Sequence, residues 1–133
     1  MKSTNLKSNE ILFGYIKLGK LNATIAKQIK RKPADIYIDN SHLRHIRNKH
    51  QNQLGITDNA ETLEYVRRLI KNFNMICEGN NGALLLICNQ VKRVDIAIIE
   101  LMPITQYGDI YQVKSAHIKD KSSIANKTLL WIK

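Results

Sequence analysis

From Met75 onward the apolar pattern of this chain changes period, and that switch limits the folds open to it. Met75–Glu78, Ala83–Cys88, Arg93–Leu101 and Ile110–Ile118 are all rich in β-branched or aliphatic residues. Val94, Ile96 and Ile98 alternate with Asp95 and Ala97, the period of a half-buried strand. Gly79-Asn80-Asn81-Gly82 reads as a tight turn, because Gly and Asn tolerate positive φ. Pro103 and Gly108 punctuate the way to the next strand, and Thr128–Ile132 reads as a last one.

The first half is read as mainly helical. Leu21, Ile25 and Ile29 recur at helical spacing in a basic segment that Pro33 ends. Asp39-Asn40-Ser41 offers cap chemistry for a helix over His42–His50, since a short polar side chain satisfies an orphan backbone N–H. Asp58 and Glu61 form a capping box before an apolar stripe of Leu63, Val66, Ile70 and Phe73. Ile36-Tyr37-Ile38 is a short β-type run, and Ile11–Leu18 around Gly14 fits a strand or a short helix. The expectation is one α+β domain over residues 1–133, with N-terminal helices packed on a C-terminal antiparallel sheet. The polar residues 1–9 are expected to fray.

Charge narrows the partners. Twenty-one Lys and Arg against eleven Asp and Glu give a net charge of +10 in 133 residues. Such a field concentrates polyanions and releases counterions from phosphates, so nucleic acid is the expected partner. An acidic protein would use the same field, and a merely solvated basic surface is the plainer alternative. No apolar run reaches the roughly 18 residues of a membrane span, so no membrane is expected. The N-terminus leads into no signal-like apolar stretch. Cys77 and Cys88 lie in apolar runs and read as buried thiols rather than a disulfide framework.

Three of the four histidines fall within nine residues, among Arg44, Arg47 and Lys49. Leu43 and Ile46 mark the buried side of that helix; His50 projects toward it, His42 flanks it and His45 points to the rim. A metal site would have only Asp39 as a nearby carboxylate, inside a cationic shell that repels a cation, and no cofactor is called for. Cleavage of RNA through its 2′-hydroxyl needs a base, an acid and cationic donors around the phosphorane-like transition state. Histidine titrates near neutrality and arginine and lysine hold phosphate, so the helix supplies every required type. On the strand Ile110–Ile118, strict alternation puts Tyr111, Val113, Ser115 and His117 on one face and Gln112, Lys114 and Ala116 on the other. Ser115 and His117 would then meet His50 across a helix–sheet cleft, with Trp131 or Tyr107 available to stack a base.

The strand Ile36-Tyr37-Ile38, followed by His45-Ile46 and the ending Arg47-Asn48-Lys49-His50, resembles the barnase–EndoU–colicin–RelE (BECR) nuclease superfamily, above all its phage- and toxin-associated branches. Val113-Lys114-Ser115 is similar to a penultimate-strand motif of that family, and the basic-basic-His ending is similar to that of the colicin D type. The resemblance covers roughly residues 10–133. It implies metal-independent RNA cleavage, with His50 as acid or base, His45 as the first family histidine and Ser115 assisting. It makes Arg47 and Lys49 phosphate holders, and Arg44, Lys114, His42 and Trp131 are added as substrate contacts. His117 as second acid–base partner follows from strand geometry alone. The resemblance further implies tRNA as substrate, a 2′,3′-cyclic phosphate product and an immunity protein, expected to be acidic. It also implies delivery into a rival cell's cytoplasm as the C-terminal part of a larger bacterial protein, with a host translation factor as a further possible partner. The rival expectation is a non-catalytic RNA- or DNA-binding module.

Overall fold

A computed structural model describes residues 11–12, 14–54, 58–104 and 108–133. Residues 1–9 and Tyr107, for which the sequence raised expectations, lie outside them. The described chain runs β1 (Ile11–Leu12), β2 (Tyr15–Leu21), α1 (Ala23–Ile29), β3 (Ala34–Asp39), α2 (Asn40–Leu54) and α3 (Asn59–Asn72). It continues through β4 (Met75–Glu78), β5 (Leu84–Asn89), β6 (Val94–Ile104), β7 (Gly108–Lys119) and β8 (Leu129–Ile132). The strands form one eight-stranded sheet in the order β1-β2-β3-β7-β6-β5-β4-β8.

The α+β expectation holds, but two details are corrected. The N-terminal half is not helices alone: it adds β1, β2 and β3 to the sheet, and β3 joins β7 in parallel through Ile36↔Tyr111 and Tyr37↔Gln112. The last strand does not extend the meander from β7 but returns to pair with β4. In β3 the apolar run is buried on both faces, as an interior parallel strand requires. Gly14 turns the chain between β1 and β2 at φ 80°. Gly19 lets β2 lie close to α3, for a Cβ there would stand 3.1 Å from Ile70 Cγ2.

All three α-helices cover one face of the sheet. α1 contributes Ala26 and Ile29, α2 Leu43 and Ile46, and α3 Tyr65, Val66, Leu69 and Ile70. They pack on Leu18, Ile36, Ile38, Leu86, Ala97, Ile99 and Val113 in one continuous apolar core. Asp58 caps α3 by accepting the Glu61 amide at 2.8 Å, as its spacing predicts. α1 ends at Lys30 with φ 59°, ahead of Pro33. The loop after it is tied to β7 by the Tyr111 hydroxyl donating to the Lys32 carbonyl at 2.7 Å and by a Lys32–Asp109 ion pair at 2.6 Å. Among the described residues no helix is long and apolar enough to cross a membrane.

Candidate functional site

The opposite face of the sheet carries none of α1–α3, and the polar chemistry gathers there. Asp39 closes β3 where α2 begins, and its carboxylate must cap that helix. Oδ1 accepts the His42 backbone N–H at 2.8 Å, and the same geometry brings His42 Nδ1 to 2.7 Å from Oδ1. An Nδ1 facing a carboxylate carries the proton, which leaves Nε2 as the acceptor of the ring. The buried Gln112 of β7 donates Nε2 to Asp39 Oδ2 at 3.1 Å and to the Tyr15 hydroxyl at 3.4 Å. Burial by itself would raise the Asp39 carboxyl. The His42 amide and ring and the charge of Lys114 outweigh it and hold the group below its ordinary range.

Further along β7 the alternation read from the sequence breaks. Ile98 pairs with Ser115 but Ile99 pairs with Val113, so two residues of β7 oppose one step of β6. Lys114 is the extra residue. Residues directly opposite across a pair share a face, and the Ala97↔Ala116 pair belongs to the helix-covered core. Ser115, opposite Ile98, and His117, opposite Ile96, therefore look away from the helices. This corrects the expected grouping. Tyr111, Val113 and Ala116 face α2 and its neighbours, while Gln112, Lys114, Ser115 and His117 belong to the open face. The cleft between α2 and the sheet is not where Ser115 and His117 point, and the side chain of His50 lies outside the described residues.

A groove of about 440 Å³ runs along the open face. Leu85, Ile96 and Ile98 floor it, Lys114, His117 and Lys119 line one side, and Glu100 stands at one end. Glu100 is the cross-strand neighbour of Gln112, so groove and Asp39–His42 pair are contiguous on the sheet. Lys114 links them, since it lines the groove and its charge acts on Asp39. Gln112 and His117 are five residues apart, roughly 15 Å on an extended strand, with Lys114 between them. Among the described residues no three His, Cys, Asp or Glu side chains gather as a metal ion would require.

The remaining expected site residues scatter. Arg44, His45 and Lys49 are exposed on α2, away from the open-face cluster, and Arg47 donates to Asn59 Oδ1 at 3.0 Å and Asn48 Oδ1 at 3.4 Å. Trp131 is half-buried on the helix side, edge-on to Phe73 with ring centroids 5.7 Å apart, so it does not reach the groove. Cys77 and Cys88 are free thiols. The residues that sequence reasoning passed over are Asp39 as partner of a histidine, Gln112, Tyr15 and Glu100. One signal was present: a capping aspartate three residues before a histidine brings both the amide and the ring to its carboxylate.

A second cavity, of about 540 Å³, opens on the helix side between α3 and the β5–β6 end. Its buried Asp95 accepts from Gln90 Nε2 at 3.2 Å and lies 3.1 Å from Arg93 Nε. Burial, then the Asp95 charge, pushes the neighbouring Tyr65 phenol up. No family model matches this sequence, and no curated protein or solved structure resembles it significantly.

Proposed function

We propose that this chain is an endoribonuclease that cleaves RNA through the 2′-hydroxyl without a metal, on the face of its sheet that α1–α3 leave open. The observation that carries the reading is the Asp39–His42 pair standing on the same face as Lys114 and His117. His42, its Nδ1 proton held by Asp39, takes the 2′-OH proton at Nε2 as general base. The 2′-oxygen then attacks phosphorus, and Lys114 neutralises charge on the phosphorane-like transition state. His117, protonated, donates to the departing 5′-oxygen as the P–O5′ bond breaks. The products are a 2′,3′-cyclic phosphate and a 5′-hydroxyl. Charge of +10 supplies the attraction for RNA.

The same reading gives the domain a BECR-type architecture, which the antiparallel run β4–β7 backed by N-terminal helices supports; β1–β3 extend it. As a toxin delivered into a competitor's cytoplasm, it acts on tRNA and is restrained by an acidic immunity protein. That inhibitor covers the open face rather than the exposed side of α2, because the site it must block is there.

The test is incubation of the purified chain with total bacterial RNA in excess EDTA, beside His42→Ala and His117→Ala variants, on a denaturing gel. Discrete fragments with cyclic-phosphate ends are expected from the parent, and each variant loses about 10²–10⁴ in rate while RNA binding persists. Intact RNA in every lane with binding retained would sink the enzyme and leave a basic binding module. Full activity in both variants would move the chemistry to the other histidines of α2.

A further inference from the structure

We infer that the open-face groove seats one unpaired nucleotide of the bound RNA, its base on the aliphatic floor and its phosphate between Lys119 and Lys127. The inference deepens the RNA-cleaving reading and rests on it for the identity of the polymer. Leu85 and Ile96 are buried and Ile98 is half-buried; none of α1–α3 lies over them, and Ile124, from the short 3₁₀ turn Lys121–Ile124 after β7, packs against their cluster. An aliphatic floor that this turn covers only in part, on a +10 chain, suits a ligand that is apolar on one side and anionic on the other. A nucleotide has both halves: a base whose face packs on carbon and a phosphate that seeks ammonium groups.

The rim fits the anionic half. Lys114, His117 and Lys119 come from β7 and Lys127 from the turn that follows it, against the single carboxylate of Glu100. Lys119 and Lys127 are both exposed, Lys119 at the end of β7 that pairs with Val94 and Lys127 beside the Gly79 end of β4, so they face the groove from opposite sides. The position of Lys127 has a second witness: burial raises the Cys77 thiol while the Lys127 charge lowers it, and Cys77 packs in the same open-side cluster as Leu85 and Ile96. The groove's volume of about 440 Å³ lies within the range of small-ligand sites and suits one nucleotide, not a duplex. The wall at Gly79 is tight, since a Cβ there would meet Ala83 at 3.2 Å and Leu85 Cδ2 at 3.3 Å. Among the described residues no Phe, Tyr or Trp ring lines the groove. Base identity is then read weakly, and affinity is dominated by phosphate and falls with salt.

The scissile phosphate sits between Lys114 and His117, and the groove takes the neighbouring residue of a single strand. The closing experiment titrates the full chain with adenosine 5′-monophosphate, adenosine and inorganic phosphate, followed by amide shifts in ¹⁵N spectra. A Lys119→Gln/Lys127→Gln variant is run in parallel. Saturable binding of the monophosphate is expected, with shifts at residues 79–83 and at His117, and weaker binding of either half alone. The variant is expected to lose about tenfold in that affinity, the equivalent of one charge-assisted hydrogen bond. It should also raise KM for a short single-stranded RNA with kcat nearly unchanged. Shifts confined to the Asp95 cavity, or affinity indifferent to both lysines, would overturn the inference. Nucleotide bound in the groove of a chain that cuts no RNA keeps the groove and ends the catalytic reading. RNA cut with KM indifferent to both lysines does the reverse.

Discussion

The two faces of the sheet are built from the same strands under different demands. Toward the helices, β6 and β7 present Ala97, Ile99, Tyr111, Val113 and Ala116, all buried in one core. Away from them the same strands present Ile96, Ile98, Glu100, Gln112, Lys114 and His117. On the covered side each side chain answers to a helix above it, and Ala97 opposite Ala116 leaves room for close approach. On the open side packing constrains only the floor, so charge and hydrogen bonding can be placed for a ligand. The separation of these roles survives the extra residue at Lys114, because Lys114 and Ser115 share the open side and alternation resumes at Ala116.

The hardest way to break the comparison is a charge on the wrong side. Ala116→Lys puts an ammonium into the helix-covered core, where an unpaired buried charge costs several kcal/mol against a total stability of about 5–15 kcal/mol. Urea denaturation should find that variant unfolded or nearly so, whereas His117→Lys, one residue on, shifts the midpoint far less. Equal midpoints would mean the two faces do not differ as described.

Deleting Lys114 sharpens the contrast. Without it β7 pairs with β6 regularly, and Ser115, Ala116 and His117 keep their sides. Stability should change by about 1 kcal/mol at most, while RNA cleavage drops by about tenfold or more for want of the phosphate cation. A deleted chain that cuts at the parent rate would remove Lys114 from the site.

Acid should separate the open-face cluster from the core. Asp39 has its folded pKa pushed below the ordinary 3.8, so its contribution is whole above that value and is lost as pH falls through the lowered one. Asp39→Asn keeps a capping side chain but loses the charge, at a cost of about 1 kcal/mol near neutrality. The gap in melting temperature between parent and variant should close as pH is taken from 3.8 down through the lowered value. A gap that stays constant to low pH would show that the carboxylate charge does nothing for the fold.

The smallest effect is expected on the covered side. The Tyr65 hydroxyl is buried there with no hydrogen-bond partner among the described residues. Tyr65→Phe removes a desolvated polar group and should leave stability unchanged or higher by up to about 1 kcal/mol. A loss of more than that would reveal a hydrogen bond made in solution.

Local chemistry is legible in the sequence, and long-range placement is not. The Asp58 cap, the α3 stripe, the turn at Gly79–Gly82 and the strands from Met75 onward all rest on neighbours within a few residues. The histidine-bearing helix is also legible, down to the polar residues that cap it. What escapes is set by partners far away. Nothing near Ile36–Ile38 announces that it pairs in parallel with β7. Nor does Val113-Lys114-Ser115 announce that one of its residues is unmatched on β6. A one-residue irregularity shifts every later side chain relative to simple alternation. Simple alternation therefore assigns Ser115 and His117 to the side that α2 occupies, and it gives Gln112 and Glu100 no role.

The parallel pairing of β3 with β7 also has a consequence in time. Asp39 and Gln112, which meet through a 3.1 Å hydrogen bond, are 73 residues apart along the chain. Contacts of that span form only after the loop between them has closed, which makes them slow and late steps. With His42 as base and His117 as acid, the two proton-transfer groups come from the two ends of that closure. A nascent or half-folded chain holds one without the other, so on the proposed mechanism no RNA would be cut until β7 has been synthesised and docked.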